Sequence, residues 1–296
     1  MIFLHCVFII STCPFRGETT RITSLCESGK FSAEFCQFSG LSISGSGGAI
    51  CVTIVSETFS IRNCYFVSCT ATSYGGGVYV DNSNEVFLEF CCGELCISHD
   101  GPMYALHTKI NESFSNRVSF ITCSRSSPNN EGSFQTLYQR YGNISSTDVN
   151  SSNHKLSGHS AMIAYNTNFA HWSRCTFANS ILGSVGEIWG VYSSIMENVN
   201  FIGNSFNSES INSVIAYSFG SHRVENAIIN GNSFASTFYY TTATVTTLNV
   251  ITSPTQSLNL KHIDVHKCLN IETVPNIQYS KPLLLVSLLV LMILDG

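Results

Sequence analysis

From Phe31 to Val80 apolar and polar residues alternate in short runs, and the pattern is then written a second time. Residues 31–52 read FSAEFCQFSGLSISGSGGAICV and residues 59–80 read FSIRNCYFVSCTATSYGGGVYV. Phe31/Phe59, Cys36/Cys64, Phe38/Phe66, Gly47/Gly75, Gly48/Gly76 and Val52/Val80 coincide at an offset of 28. Alternation with a period of two predicts strands with one buried face. Self-similarity at a period of roughly 20–50 residues predicts stacked repeats. No long stretch before the C-terminus sustains the 3.6-residue apolar period of a helix, so the expected class is all-β.

Taking Cys64-x-Phe66-x-x-Cys69 as one rung, the template is two inward residues two apart, followed by a small or polar residue at a turn. It recurs as Cys36-x-Phe38-x-x-Leu41, Cys91-x-Gly93-x-x-Cys96, Val118-x-Phe120-x-x-Cys123, Cys175-x-Phe177-x-x-Ser180, Val199-x-Phe201-x-x-Asn204, Ala227-x-Ile229-x-x-Asn232 and Ile263-x-Val265-x-x-Cys268. A weaker rung, Thr147-x-Val149-x-x-Ser152, divides the widest gap. A second column of small residues ahead of an apolar pair follows the first: Gly47–Ile50, Gly75–Val78, Gly101–Tyr104, Gly132–Phe134 and Ser160–Ile163. Paired glycines there mark a sharp turn into a strand. Two strands and two turns in each repeat describe one coil of a parallel solenoid. Counting rungs gives about nine coils, with neighbouring strands about 4.8 Å apart. Phe38, Phe66, Phe120, Phe177 and Phe201 are then expected to form one interior stack. A β-sandwich is the competing architecture, but it has no reason to keep one period over most of the chain.

Composition narrows the picture. Only 11% of the 296 residues are charged, against roughly 25% in an average domain, and Ser, Asn, Thr and Gly fill the polar positions. A net charge of −5 with 14 basic residues spread thinly offers no patch for nucleic acid. Residues 1–15 carry an apolar run, Ile2–Ile10, without a preceding basic residue; they are expected to be a signal or an apolar cap. Residues 16–275 are assigned to the repeat domain. Residues 281–296 run apolar from Leu283 to Leu294, shorter than the roughly 20 residues of a spanning helix; they are expected to form a membrane anchor or a truncated span.

The motifs GGAI at Gly47–Ile50 and FIGN at Phe201–Asn204 resemble the tandem repeats of the chlamydial polymorphic membrane proteins. The chain looks like a divergent relative over residues 31–270, with GGGV at Gly75–Val78 and with Cys69, Cys123 and Ser180 in place of the motif's final Asn. The resemblance implies a right-handed, single-stranded parallel β-helix of the pectin-lyase-like type, displayed at a cell surface or secreted and used in adhesion. In the bacterial members a barrel translocator follows. No such segment is recognisable here, which favours an apolar C-terminal anchor.

Thirteen cysteines invite a metal or disulfide reading. Cys36, Cys64 and Cys91 fall in one column and Cys69, Cys96 and Cys123 in another, so each set is expected to stack as a ladder rather than converge on a tetrahedral point. There is no CxxC pair, and no metal or cofactor is expected. Adjacent coils lie within disulfide range, yet buried thiols packing as small apolar groups are the expected reading of the columns. A polysaccharide lyase or glycosidase on the same scaffold needs gathered carboxylates. The five aspartates, Asp81, Asp100, Asp148, Asp264 and Asp295, share no obvious column. A structural spacer is the third reading. The expected function is therefore non-enzymatic binding or adhesion, with a host-cell protein or glycan as partner and the membrane reached through the C-terminal tail. Sequons stand at Asn111, Asn143 and Asn150. The last two fall in the polar segment Ser124–Gly158, where the repeat is weakest and a projecting loop is expected; Tyr138, Arg140 and Tyr141 are its candidate binding residues.

Overall fold

The computed structural model describes residues 21–23, 29–53, 57–99, 101–111, 113–125, 135–156, 160–206 and 212–253. All of them belong to the first of two compact units, Met1–Val265. The rung at Ile263, residue Cys268 and the segments 1–15 and 281–296 lie outside the described residues, as does Gly132–Phe134. Within the described residues every strand pairing is parallel, and each strand pairs with its equivalent one repeat earlier and one repeat later. The result is an all-β parallel solenoid of about seven turns, consistent with a right-handed parallel β-helix. That is fewer than the nine coils counted from rungs.

Each early coil has three walls rather than two strands. The second coil runs through Thr58–Arg62, Tyr65–Val67 and Val78–Ser83, with a two-residue strand at Thr70–Ala71 between the last two. Two of the corners are made by single residues with left-handed backbone. One corner column holds Phe35, Asn63, Phe90, Phe120, Asp148, Arg174, Asn198, Asn226 and Asn249; the other holds Gly40, Ser68, Leu95, Arg125, Asn153, Asn179, Gly203 and Gly231. Asn and Gly tolerate positive φ, which is why the uncharged polar filler collects there. Strand-like hydrogen bonding continues around the bends, as Asn198 N–H to the Glu225 carbonyl and Asn179 N–H to the Ile202 carbonyl show.

Alternation sends one set of side chains inward. Phe31 stacks on Phe59 at 4.9 Å, Phe38 on Phe66 at 5.3 Å and Phe177 on Phe201 at 5.2 Å between ring centroids. All six are buried. The expected stack is broken in the middle, and Phe120 is not part of it. Register places Phe66, Gly93, Cys123, Ser151 and Phe177 in one column. Phe120 instead occupies a left-handed corner at φ 54°, is 50% exposed and stacks on Phe90 at 4.6 Å. The physical reason is an extra three residues in that coil: Ile121, not Val118, aligns with Val149 in the column of Cys91, and Val118 packs one wall earlier beside Leu88 and Ser146. The weak rung is displaced likewise, since Val149 and Ser151 hold the positions assigned to Thr147 and Val149.

Where the column loses its aromatic ring the opposite wall fills the space. A Cβ on Gly93 would lie 2.3 Å from the Tyr104 hydroxyl, and Tyr104 packs edge-on against Phe66. On the far side Trp172 fills the room left by Gly186 and lies 6.1 Å from Phe177. Further along, polar residues inside the coil satisfy one another. Asn116 Nδ2 donates to the Leu106 carbonyl at 2.8 Å, Gln139 Nε2 donates to Asn116 Oδ1 at 3.1 Å, and Ser146 Oγ donates to Gln139 Oε1. Unpartnered, such groups would cost about 1–3 kcal/mol each.

Candidate functional site

The described part of Ser124–Gly158, where the sequence predicts a projecting loop, is largely regular structure. Gln135–Arg140 and Asn143–Ser152 are strands, with Leu137, Gln139, Ile144 and Ser146 facing inward. Its many Ser, Thr and Asn residues hid the alternation. Tyr138 and Arg140 accordingly sit on the outer face of a wall, and Tyr141 forms the corner at φ 62°.

That outer face carries an ordered run of rings and charges. His107, Arg140, Tyr165 and Trp189 are register partners in consecutive coils. Tyr79 packs edge-on to His107 at 5.7 Å, His107 edge-on to Tyr138 at 5.2 Å, and Tyr138 lies 5.9 Å from Tyr165. Burial raises the Tyr79 and Tyr138 hydroxyls to about 12, so both remain neutral donors at physiological pH. Trp189 Nε1 donates to Glu187 Oε2 at 2.9 Å, which ties down the indole at the end of the run.

Beyond the corner the wall opens into a groove of about 920 Å³, within the usual range for ligand sites. Tyr141, Tyr192, Phe219 and Ile110 give it apolar faces, and Asn111, Asn166 and Asn168 give it amides. Three successive coils supply Tyr141–Gly142, Asn166–Asn168 and Gly190–Tyr192, so the lining repeats with the register. Tyr192 is 65% exposed and meets Phe219 edge-on at 5.4 Å. Ile110 is 79% exposed. The floor is held by Thr167, whose hydroxyl donates to the Gly142 carbonyl, and by Gly190 N–H, which donates to Ser218 Oγ at 2.9 Å. The side chains of Asn166 and Asn168 make no hydrogen bond to any described residue, leaving their amides for a ligand.

Of the candidates named from sequence, Tyr141 lines the groove, Arg140 stands directly behind it, and Tyr138 lies further along the outer face. Tyr192, Phe219, Asn166 and Asn168 were missed. The signal that could have found them is a third column, Tyr141/Asn166/Gly190, read across repeats of unequal length. Asn111 also lines the groove: its Oδ1 accepts both the backbone N–H and the hydroxyl of Ser113 at 2.9 Å. Asn143 is exposed at a strand start, whereas Asn150 has a buried Oδ1 without a partner among the described residues.

One cysteine column is as expected and the other is one residue shorter. Cys36, Cys64 and Cys91 align, and Cys69 aligns with Cys96; Cys123 belongs to the phenylalanine column instead. Cys36 and Cys92 each take part in a disulfide with a residue outside the described ones, while Cys64, Cys69, Cys91, Cys96 and Cys123 are free and buried. Burial pushes the Cys91 and Cys96 thiols well up, which suppresses the reactive thiolate. Among the described residues no group of three His, Cys, Asp or Glu side chains is placed to hold a metal ion. No helix among the described residues is long and apolar enough to cross a membrane.

No protein-family model, curated protein or solved structure matches the chain.

Proposed function

We propose that this chain is a non-enzymatic binding module of the adhesive type, displayed at a cell surface or secreted, and that its ligand is a glycan held in the groove at Tyr141, Tyr192 and Phe219. The observation that carries the reading is the composition of that groove: the exposed ring of Tyr192 beside the Asn166 and Asn168 amides, which have no hydrogen-bond partner among the described residues. Sugar rings present C–H faces that stack on aromatics and hydroxyls that pair with amide groups. The described aspartates are already engaged, Asp81 with His107 and Asp148 with Arg174, and Glu197 is held by His171 and Ser173. That engagement supports binding over hydrolysis. The resemblance of Gly47–Ile50 and Phe201–Asn204 to chlamydial polymorphic membrane protein repeats, with the pectin-lyase-like kinship it implies, belongs to the same proposal. So does attachment through residues 281–296.

The test is a glycan array probed with the full chain and with Tyr192→Ala and Phe219→Ala. Each substitution removes one stacking face, worth about 1 kcal/mol or more, and is expected to weaken the best-bound glycan by about fivefold or more. Binding that is indifferent to both changes, or release of new reducing ends from a bound polysaccharide, would overturn the reading.

A further inference from the structure

We infer that the ligand carries a carboxylate, as a uronic-acid saccharide does, and that Arg140 receives it; this rests on the groove reading above and names its ligand class. Arg140 ends the strand Gln135–Arg140, in register between His107 and Tyr165. Its guanidinium carbon lies 4.5 Å from the centroid of Tyr141 and 5.4 Å from that of Tyr165. Two rings against a planar cation fix its orientation and shed water from its faces, while its donor edge remains for a planar anion.

Three other arginines on the outer surface have their counter-ions. Arg62 holds Glu89 at 2.7 Å, Arg125 holds Glu94 at 3.2 Å and Arg174 holds Asp148 at 2.7 Å. Arg140 forms no such pair among the described residues, and its Nε is buried without a hydrogen-bond partner. Beside it, His107 is only 8% exposed and its buried Nε2 is also unpartnered. Asp81 Oδ1 lies 3.8 Å from His107 Nδ1, and His107 first and Arg140 after it hold the Asp81 carboxyl below its usual range. A guanidinium held between two rings with no counter-ion among the described residues describes a seat for an anionic acceptor. Tyr141 joins the seat to the groove, because the same ring that flanks Arg140 also lines the cavity. A sugar stacked in the groove thus presents a ring carboxylate toward the guanidinium edge, where bidentate pairing is available.

The experiment titrates the full chain with a hyaluronan hexasaccharide, its methyl-esterified counterpart and a sulfated neutral hexasaccharide, by calorimetry at low salt. The acid is expected to bind at least tenfold more tightly than the ester. Arg140→Gln is expected to bring that ratio to about one by weakening the acid alone, and Arg140→Lys to keep a smaller ratio because it retains charge but not the fork. Raising the salt is expected to shrink the ratio in the unsubstituted chain. A ratio of one in the unsubstituted chain, equal weakening of acid and ester by Arg140→Gln, or equal affinity for the sulfated probe overturns the carboxylate inference. If these probes fail while a neutral glycan binds in a Tyr192-dependent way, the groove reading stands and only this inference falls. If no glycan depends on Tyr192, both fall.

Discussion

At the residue scale, the position after each second corner decides how the turn is closed. Cys69 N–H donates to Cys96 Sγ at 3.4 Å, His154 N–H to Ser180 Oγ at 3.1 Å, Ser180 N–H to Asn204 Oδ1 at 3.1 Å and Asn204 N–H to Asn232 Oδ1 at 2.9 Å. Each coil therefore borrows an acceptor from the side chain of the coil above. Cys, Ser and Asn interchange there because each offers one short acceptor, and that interchange made the sequence motif look eroded when its chemistry was intact. Asn204 does most: its Nδ2 also donates to the Phe177 carbonyl at 3.0 Å and to Asn232 Oδ1 at 2.9 Å. Asn204→Ala leaves a buried N–H and a buried carbonyl unsatisfied and is expected to cost about 2–4 kcal/mol. Asn204→Ser, which restores the acceptor, is expected to recover about half of it in urea unfolding. His154 shares the column but adds a titration. It is buried, its Nε2 lies 2.9 Å from Ser151 Oγ, and burial lowers its pKa from 6.5 to about 3. The unfolded chain thus binds a proton between pH 6.5 and 3 that the folded chain refuses, so stability is full above 6.5 and falls as pH drops through that window. The slope approaches about 1.4 kcal/mol per pH unit. His154→Asn, compatible with the column, is expected to flatten this part of the stability–pH curve; parallel curves for the two proteins would count against the buried neutral imidazole.

At the element scale, the same apparent motif has opposite consequences depending on register. Phe66 is wholly buried under Phe38 and against Tyr104, so Phe66→Ser is expected to cost about 3–5 kcal/mol. Phe120 sits half exposed at a left-handed corner where Asn63, Asn198, Asn226 and Asn249 stand in other coils. Phe120→Asn replaces a bulky residue by one suited to positive φ, and thermal denaturation is expected to show no loss or a small gain. The glycine column bears a stricter constraint. Gly76 faces the Ile97 backbone, where an added Cβ would lie 2.4 Å from the carbonyl oxygen. Because a backbone cannot swing aside as a side chain can, Gly76→Ala is expected to destabilise by at least about 3 kcal/mol. These contrasts show what the sequence made legible and why the rest was hidden. Alternation and the 28-residue offset between Phe31 and Phe59 were enough for the parallel solenoid and for Phe38, Phe66, Phe177 and Phe201 inside it. Phe120 was misplaced because phenylalanine alone does not distinguish an inward strand position from an outward corner when three residues have been added to a coil. The groove was half legible: Tyr141 was found, but Tyr192 and Phe219 belong to later coils and meet it only through register.

At the scale of the repeat domain, the columns imply that stability is held between neighbouring coils rather than in one central cluster. Every wall of a coil pairs only with the coils before and after it, as Glu85–Glu89 does with Thr58–Arg62 and Ser115–Ser124. A whole coil should thus be removable if the cut respects the columns. Asn63 and Phe90 occupy the same corner, so deleting residues 63–89 joins Arg62 to Phe90 and carries Gly93 onto Phe38 in the place where Phe66 had met it. Tyr104 then covers Phe38 as it had covered Phe66. That shortened chain is expected to keep the far-ultraviolet β signature and to unfold at a lower temperature than the full chain, because one set of stacked walls is gone. Deleting residues 63–86 instead removes three fewer and leaves Phe87, Leu88 and Glu89 inserted between Arg62 and the Phe90 corner. The coil that ends at Phe120 carries three extra residues and stays in register, so this second chain is expected to fold as well but to unfold at a lower temperature than the first, because the surplus bulge takes the buried Leu88 out of its wall. Equal melting temperatures of the two deletions would contradict register between coils as the source of the fold. It would also remove the basis on which Tyr141, Asn166 and Tyr192 are brought together, since those three residues meet only because each coil lies in step with the next.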